Sequence, residues 1–455
     1  MPDRSLRNLN WLNFFVAGMQ TGFGAFLSVY LATQGWSATD IGIALSVGTI
    51  AVMCAQVPAG AMVDALPSKR VAAAAAILGI AGAALMIGIS PSFPMVLVAE
   101  IIQGIANAML GPSIAAITLS LAAFDKLGER LGLNVRFAAI GSGSAAAGMG
   151  AIGSWYSHRA VYILVGVSAF AALAALRGVR PADIAQAPAR TDHVAALPKE
   201  VRAVQARPRS FFRDPTLLIF AVCMALFTLG NAALLPLAVN HAAHVLGQRA
   251  DIVTAAAIVV PQVLTAWLSP VFGRAAQNMG RRTILLIGFV ALPARALLFA
   301  LAGNAYLLVV FQALDGIAGG AVGVMVPLIV ADITRRRGRF NLAMGIVGLA
   351  VGLAATISTA SGGYVADQRG NPTAYLTLAV AGLLACLIAG LFLPETGPRP
   401  YKPSHNWMPH RWLRWKRHGK ENHDANGDHG RPAAARHPSR ANRFFQRARR
   451  PNPRR

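Results

Sequence analysis

Residues 60–70 read GAMVDALPSKR, and residues 273–283 read GRAAQNMGRRT. Each stretch starts on a glycine, Gly60 or Gly273, places a polar residue four positions on (Asp64, Gln277) and follows it with cations nine or ten positions on. A second pair of landmarks repeats the spacing. EIIQGIANAMLGPS carries Gly104 and QALDGIAGGAVGVMVP carries Gly316, and the step from Gly104 to Gly316 differs from that between Gly60 and Gly273 by a single position. Two landmarks at almost one offset indicate that the chain is a duplication, its halves repeated in the same direction.

Outward from these landmarks the chain is apolar over lengths that cross a bilayer. Twelve spans close on polar, Gly or Pro residues: 11–33, 40–64, 71–90, 93–119, 134–155, 160–177, 215–240, 251–272, 283–302, 305–332, 342–365 and 375–393. A span needs about 20 residues, so this chain length accommodates roughly 10–13 of them. Of its 455 residues 55 % are hydrophobic and only 13 % charged, and the mean hydropathy is +0.50. A soluble domain carries about 25 % charged residues, so a soluble enzyme, a coiled coil and a disordered chain are all excluded. Cys54, Cys223 and Cys386 lie within apolar segments, which leaves no disulfide framework and no metal site. The opening MPDRSLRNLNW leads into a run of full span length without a cleavage pattern, and reads as the first span rather than a removed signal.

The basic residues sort onto one side. Only Arg159, Arg249 and Arg369 fall in the odd-numbered loops and Arg295 falls inside a span, while the other 38 of 42 Lys and Arg lie at the termini or in the even-numbered loops. The positive-inside rule then places both termini in the cytoplasm, and an odd number of spans would destroy the asymmetry. Part of the net charge of +24 is a tail effect: residues 397–455 hold 16 Lys and Arg against Glu421, Asp424 and Asp428. Such a tail is expected to be disordered and drawn to anionic lipid head groups rather than to nucleic acid. The linker, with four prolines, is not one continuous helix. The expected organisation is a six-helix bundle over 1–177, a cytoplasmic linker over 178–213, a second bundle over 214–395 and a basic tail over 396–455.

On these residues the chain resembles the major facilitator superfamily of secondary transporters. That family's loop signature after the second span runs Gly, three residues, Asp, a cation, one residue, Gly, one residue, then two cations. Gly60, Asp64, Lys69 and Arg70 match it, whereas Ala65 and Pro67 depart from it; Gly273, Gln277, Gly280 and Arg282 form the degenerate second copy. The resemblance covers residues 11–395 and implies an all-α polytopic protein of twelve transmembrane helices in two pseudo-symmetric bundles. It further implies alternating access, with the loop copies as gating elements and spans 1, 4, 7 and 10 around a central cavity. Two other signatures are altered. Glu100 stands where exporters of the family commonly carry Arg, and the glycine ladder Gly141, Gly143, Gly148, Gly150 and Gly153 lacks the antiporter proline. Independently of the family, Gly60 permits close helix approach, and Asp64 lies within reach of Lys69 or Arg70, a charge cluster of the kind that holds one conformation and releases in another. Arg136 reads as an interface anchor or a partner for Asp64.

Ionisable groups inside spans are costly and mark function. Arg295 and Asp315 sit ~18 and ~15 Å deep from opposite sides of a core ~30 Å thick, on consecutive spans, so a structural ion pair is expected between them. Glu100 lies ~10 Å deep without a cation at its level, and is the preferred site for a proton taken up and released as exposure alternates. Around the central cavity that the resemblance implies, Gln20, Gln103, Asn231 and Gln312 complete the group expected to face a small-molecule solute, with Asp315 as a second candidate.

No Gly-x-x-x-x-Gly-Lys-Ser/Thr loop is present, so coupling to a proton gradient rather than ATP is expected, with no cofactor, no metal and no enzymatic activity. The expected function is proton-coupled efflux of a small organic solute by a monomer. An Ala- and Arg-rich, Lys-poor composition points to a GC-rich bacterial genome, and the expected location is the bacterial inner membrane. Import or facilitated transport is the alternative within the class; a membrane sensor working through its basic tail is the alternative outside it. Removal of residues 397–455 separates transporter from sensor. Transport that survives the truncation unchanged, measured in vesicles, is the expected result for a transporter with an accessory tail.

Overall fold

The computed structural model describes residues 2–185, 214–246, 250–302, 304–335 and 339–397. Most of the linker and all of the tail beyond Gly397 lie outside these residues, as do the expectations placed on them. The described residues are almost wholly helical, with no strand among them. The first half comprises α1 (Pro2–Thr33), α2 (Ala38–Ala65), α3 (Lys69–Ile89), α4 (Phe93–Leu121), α5 (Leu127–Trp155), α6 (His158–Gly178) and a short α7 (Pro181–Ala185). The second comprises α8 (Pro215–Asn231), α9 (Leu234–Leu246), α10 (Ala250–Asn278), α11 (Arg281–Leu301), α12 (Ala305–Phe311), α13 (Ala313–Thr334), α14 (Phe340–Arg369) and α15 (Asn371–Phe392).

Ten helical stretches are long and apolar enough to cross a membrane, with α8–α9 and α12–α13 each forming one interrupted span. The remaining two of the twelve spans are α1 and α5. At 32 and 29 residues they have the length, but Arg4, Arg7, Asn8 and Asn10 in one, and Glu129, Arg130 and Asn134 in the other, dilute their apolar average. Large apolar side chains point away from the bundle, with Phe170, Trp267, Leu301 and Leu391 each more than 70 % exposed. Such a belt is at home only in lipid.

Short polar residues start the helices where the sequence supplies them. Asp214 Oδ1 accepts from the backbone N–H groups of Thr216 and Leu217 at 3.0 and 3.4 Å, and Asn304 Oδ1 accepts from Tyr306 N–H at 2.9 Å. Each satisfies a donor that a helix start leaves free, an obligation that hydrocarbon makes stricter. Cations finish them. Lys69 Nζ donates to the carbonyls of Val63, Asp64 and Leu66 at 2.5, 3.1 and 2.8 Å at the end of α2. The loops alternate between two ends of the bundle, a basic end carrying Lys69, Lys126 and Arg281, and a far end carrying Gly35, Ser92 and Gly370.

Two hydrophobic cores result. One gathers α1–α4 and α6 with Ala145 and Met149 of α5; the other gathers α8–α15 with Leu127 and Leu131 from the start of α5. Helix α5 therefore belongs to both halves, because its basic end leans on α10. That crossing needs glycine on both sides. A Cβ on Gly128 would collide with the carbonyl of Gly273, and a Cβ on Gly273 with the carbonyl of Gly128. One turn further, Ser269 Oγ donates to the Gly132 carbonyl at 3.0 Å. The contact is with backbone and cannot be relieved by a rotamer change. Gly273→Val is expected to destabilise the folded protein by about 1–3 kcal/mol through overpacking, measured by thermal unfolding in detergent. Gly82→Ala, where nothing lies within 4 Å of the added methyl, is expected to be neutral or slightly stabilising.

Candidate functional site

Two interrupted spans face each other in the second half. Helix α8 stops at Asn231 and α9 starts at Leu234; α12 stops at Phe311 and α13 starts at Ala313. Each interruption frees backbone groups that must find partners inside the protein. At the first, Ala233 N–H donates to Ser358 Oγ of α14 at 3.1 Å. Arg295 of α11 reaches both. Its guanidinium donates to Asn231 Oδ1 and to Gln312 Oε1 at 3.5 Å, and forms an ion pair with Asp315. It also lies 5.8 Å from the Phe299 ring centroid. The Arg295 side chain is 2 % exposed and that of Asp315 30 %, so the pair is buried on one side and reachable on the other. Asp315 occupies the first turn of α13, where the helix dipole favours an acid. Arg295 Nε and Gln312 Nε2 are buried without a hydrogen-bond partner.

The first half is arranged differently. Gln20 Nε2 donates to Asn107 Oδ1 at 2.9 Å. Gln20 also lines a cavity of ≈ 200 Å³ with Asn13 of α1, Ile114 of α4, Asn134 of α5, and Gly323 and Pro327 of α13. The cavity walls thus come from spans 1, 4, 5 and 10; span 7, expected from the resemblance, contributes none of the lining side chains. Glu100 is only 5 % exposed and does not line this cavity. It packs against Gly48 of α2, where no Cβ would fit beside its carboxylate, and its Oε1 has no hydrogen-bond partner. Gln103 is half-buried one turn on. At the offset that relates Gly104 to Gly316, Glu100 corresponds to Gln312 and Gln103 to Asp315. The acid and the amide have exchanged places between the halves, and Asp315 has gained a cation.

At the basic end, Asp64 does something other than pair with its neighbouring cations. Its Oδ1 accepts from the backbone N–H of Asn341 at 3.2 Å and from Asn341 Nδ2 at 2.7 Å, and its Oδ2 accepts from Leu342 N–H at 2.9 Å. It is therefore a cap, supplied by the first half, on the amino end of α14 in the second. Gly60 makes this possible, since a Cβ there would strike the Asn341 backbone. Of the cluster expected with Lys69 and Arg70, Lys69 stays near enough to act on Asp64 electrostatically, but neither cation forms a direct ion pair with its carboxylate. Lys69 caps its own preceding helix, and Arg70 donates to the carbonyls of Leu176 and Arg177 at 3.3 and 3.5 Å, ending α6. Arg136 is exposed and does not partner Asp64.

The second copy of the loop also departs in part from the expectation. Gln277 donates to the Asp125 carbonyl, and Gly280, at φ +91°, turns the chain into α11. Arg282 contributes its backbone, which donates to Glu395 Oε2 at 3.2 Å. The working cation is its neighbour Arg281, 1 % exposed. It donates to the Ala276 carbonyl at 2.6 Å and pairs with Asp332 at 3.3 Å, while its backbone N–H donates to Glu395 Oε1 at 2.7 Å. The signal for it lies in the repeat, because Lys69 and Arg281 are related by the same offset as Gly104 and Gly316 and end α2 and α10 in the same way. Nothing in the sequence pattern points to Asp332, Glu395 or Asn341.

The profile of the Major Facilitator Superfamily matches residues 9–247 and 220–423. A protein of Mycobacterium tuberculosis named as an uncharacterized MFS-type transporter is 34 % identical over 402 residues, covering 87 % of this chain and 94 % of its own length. The multidrug transporter protein MdtP of Bacillus subtilis is 28 % identical over 134 residues, covering 28 % of this chain and 24 % of its own. Among solved structures, a transporter, FucP, in the outward conformation superposes with a TM-score of 0.68 at 14 % identity, covering 85 % of this chain and 97 % of that one. The human organic anion transporter MFSD10 superposes with a TM-score of 0.64, also at 14 % identity, covering 85 % and 99 %.

The unequal burial of the ion pair makes its two halves unequal to mutate. Asp315→Asn leaves Arg295 buried and uncompensated, and is expected to cost roughly 3–5 kcal/mol. Arg295→Gln leaves an acid that still reaches polar surroundings, and is expected to cost less. Chemical unfolding of the two variants in detergent checks the order.

Proposed function

This chain belongs to the major facilitator superfamily, and from that premise we propose that it exports a small organic solute in exchange for protons, with its basic end in the cytoplasm of a bacterial inner membrane. The observation that carries the reading is the Asp64 cap on α14. It joins the two halves at the basic end, where the Gly128–Gly273 crossing joins them a second time. With the basic end inside the cell, this is a state closed inward. Release of the cap, worth ~0.5–2 kcal/mol for a helix end of this kind, is then a step on the path to the opposite state. The Arg295 cluster keeps the second half rigid while it rocks.

Export is supported by the multidrug relatives, whose match covers part of the chain. Proton exchange is supported by Glu100, a buried carboxylate with an unbonded oxygen and no cation beside it among the described residues. A carboxylate so placed takes a proton when its surroundings dry and yields it when they are wetted. Inside-out vesicles holding a proton gradient, followed with a pH-sensitive dye, test both. Particular compounds from a panel of cationic, neutral and anionic solutes are expected to dissipate the gradient in wild type, and Glu100→Gln to abolish that dissipation. Dissipation that persists in Glu100→Gln would move the proton site to Asp315. A gradient indifferent to every compound would favour import or facilitated passage.

A further inference from the structure

Arg130 is placed where a cation gains least. It lies in the first turn of α5, whose dipole disfavours positive charge, and it is 6 % exposed. Among the described residues no carboxylate comes within 4 Å of it. Its hydrogen-bond partners are neutral. A terminal guanidinium nitrogen donates to Asn10 Oδ1 at 2.6 Å and to Asn134 Oδ1 at 2.9 Å, and Nε has no partner at all. Burying an ion in this way is costly unless a counter-charge arrives.

The place where one would arrive is adjacent. Asn134, held by Arg130 on one side and donating to Thr118 Oγ1 at 2.7 Å on the other, lines the cavity described above together with Leu131, one residue on from Arg130. The other polar lining residues are Asn13 and Gln20, both amides, and no acid among the described residues lines the space. Of the two intramembrane acids that could neutralise it, Asp315 is paired with Arg295 and Glu100 is packed against α2. The cavity therefore ends, towards the basic end, on an amide polarised by an unpaired cation. We infer that Arg130 makes this cavity select solutes bearing an anionic group, held over Asn134 with Arg130 as its counter-ion. The inference rests on the export reading proposed above, with this cavity, which Gln20 also lines, taken as part of the transport path.

Charged thiol reagents read the selection without a known substrate. In a background of Cys54→Ala, Cys223→Ala and Cys386→Ala, which removes all three native cysteines, Ala138→Cys places a thiol on the cavity wall. It stands two helical turns, ~12 Å, from Arg130. Reaction rates with anionic sulfonatoethyl and cationic trimethylammonioethyl methanethiosulfonate are compared as a ratio. The anionic reagent is expected to be favoured relative to a free thiol in solution. Arg130→Gln is expected to lower the ratio about tenfold, and Arg130→Lys, which keeps the charge, to preserve it. A ratio equal to that of the free thiol, or one indifferent to Arg130→Gln, would overturn the anion site and leave the cavity reading standing. Reaction with neither reagent would overturn both, because the wall would then be closed to solutes. If Arg130→Gln does not fold, the ratio in the unsubstituted Arg130 background decides alone.

Discussion

A carboxylate from one half of the molecule sits on the open end of a helix in the other, and most of the arrangement at the basic end follows from it. Asp64 meets the N–H groups of Asn341 and Leu342 only because α2 and α14 approach to backbone contact, and that approach requires Gly60. The same closeness recurs between α5 and α10, where two glycines face each other. Lys69 and Arg70 are thereby free to close the ends of α2 and α6. Each cation donates to the carbonyls that finish a helix and the acid accepts from the N–H groups that start one. An interface built this way is tight yet separable, since capping bonds are few and worth little individually, whereas the glycine contacts hold only while the backbones stay in register.

The second half is held by a different device. Arg295 ties the breaks in two spans to one guanidinium, and Asp315 neutralises it. In the first half the corresponding level holds Glu100 against Gly48 and the Gln20–Asn107 amide pair, with no cation among them. The duplication has thus kept the backbone plan and let the charges diverge. One half is braced by a paired charge; in the other, Glu100 near the far end and Arg130 near the basic end have no counter-charge among the described residues. In a low-dielectric interior a charge without a counter-charge depends strongly on whether water reaches it. The likeness in fold to a solved transporter over 85 % of the chain at 14 % identity shows how far helix packing persists while the side chains change.

Much of this is legible in the linear order of residues. Span number, the duplication and the sidedness of the charges follow from hydropathy and loop composition, because lipid imposes a length on every apolar segment and the basic loops alternate. Depth along a helix is also readable, at a fixed rise per residue, which is what places Arg295 and Asp315 at one level. What the linear order does not supply is azimuth, the direction in which a side chain leaves its helix. Glu100 and Gln20 both read as cavity residues, yet one turns into α2 and the other into the cavity. Asp64 stands close to Lys69 in the chain, but its carboxylate is turned towards a helix that begins at Phe340, in the other half. The loop signature singles out Arg282 rather than Arg281 because it does not say which of two adjacent cations faces inward. Sequence by itself determined a twelve-span, duplicated membrane protein with one basic side, since those properties depend on composition along a single axis. Only the tertiary structure decided which charges are paired, capping or left alone, since that depends on which helices cross and how closely their backbones meet.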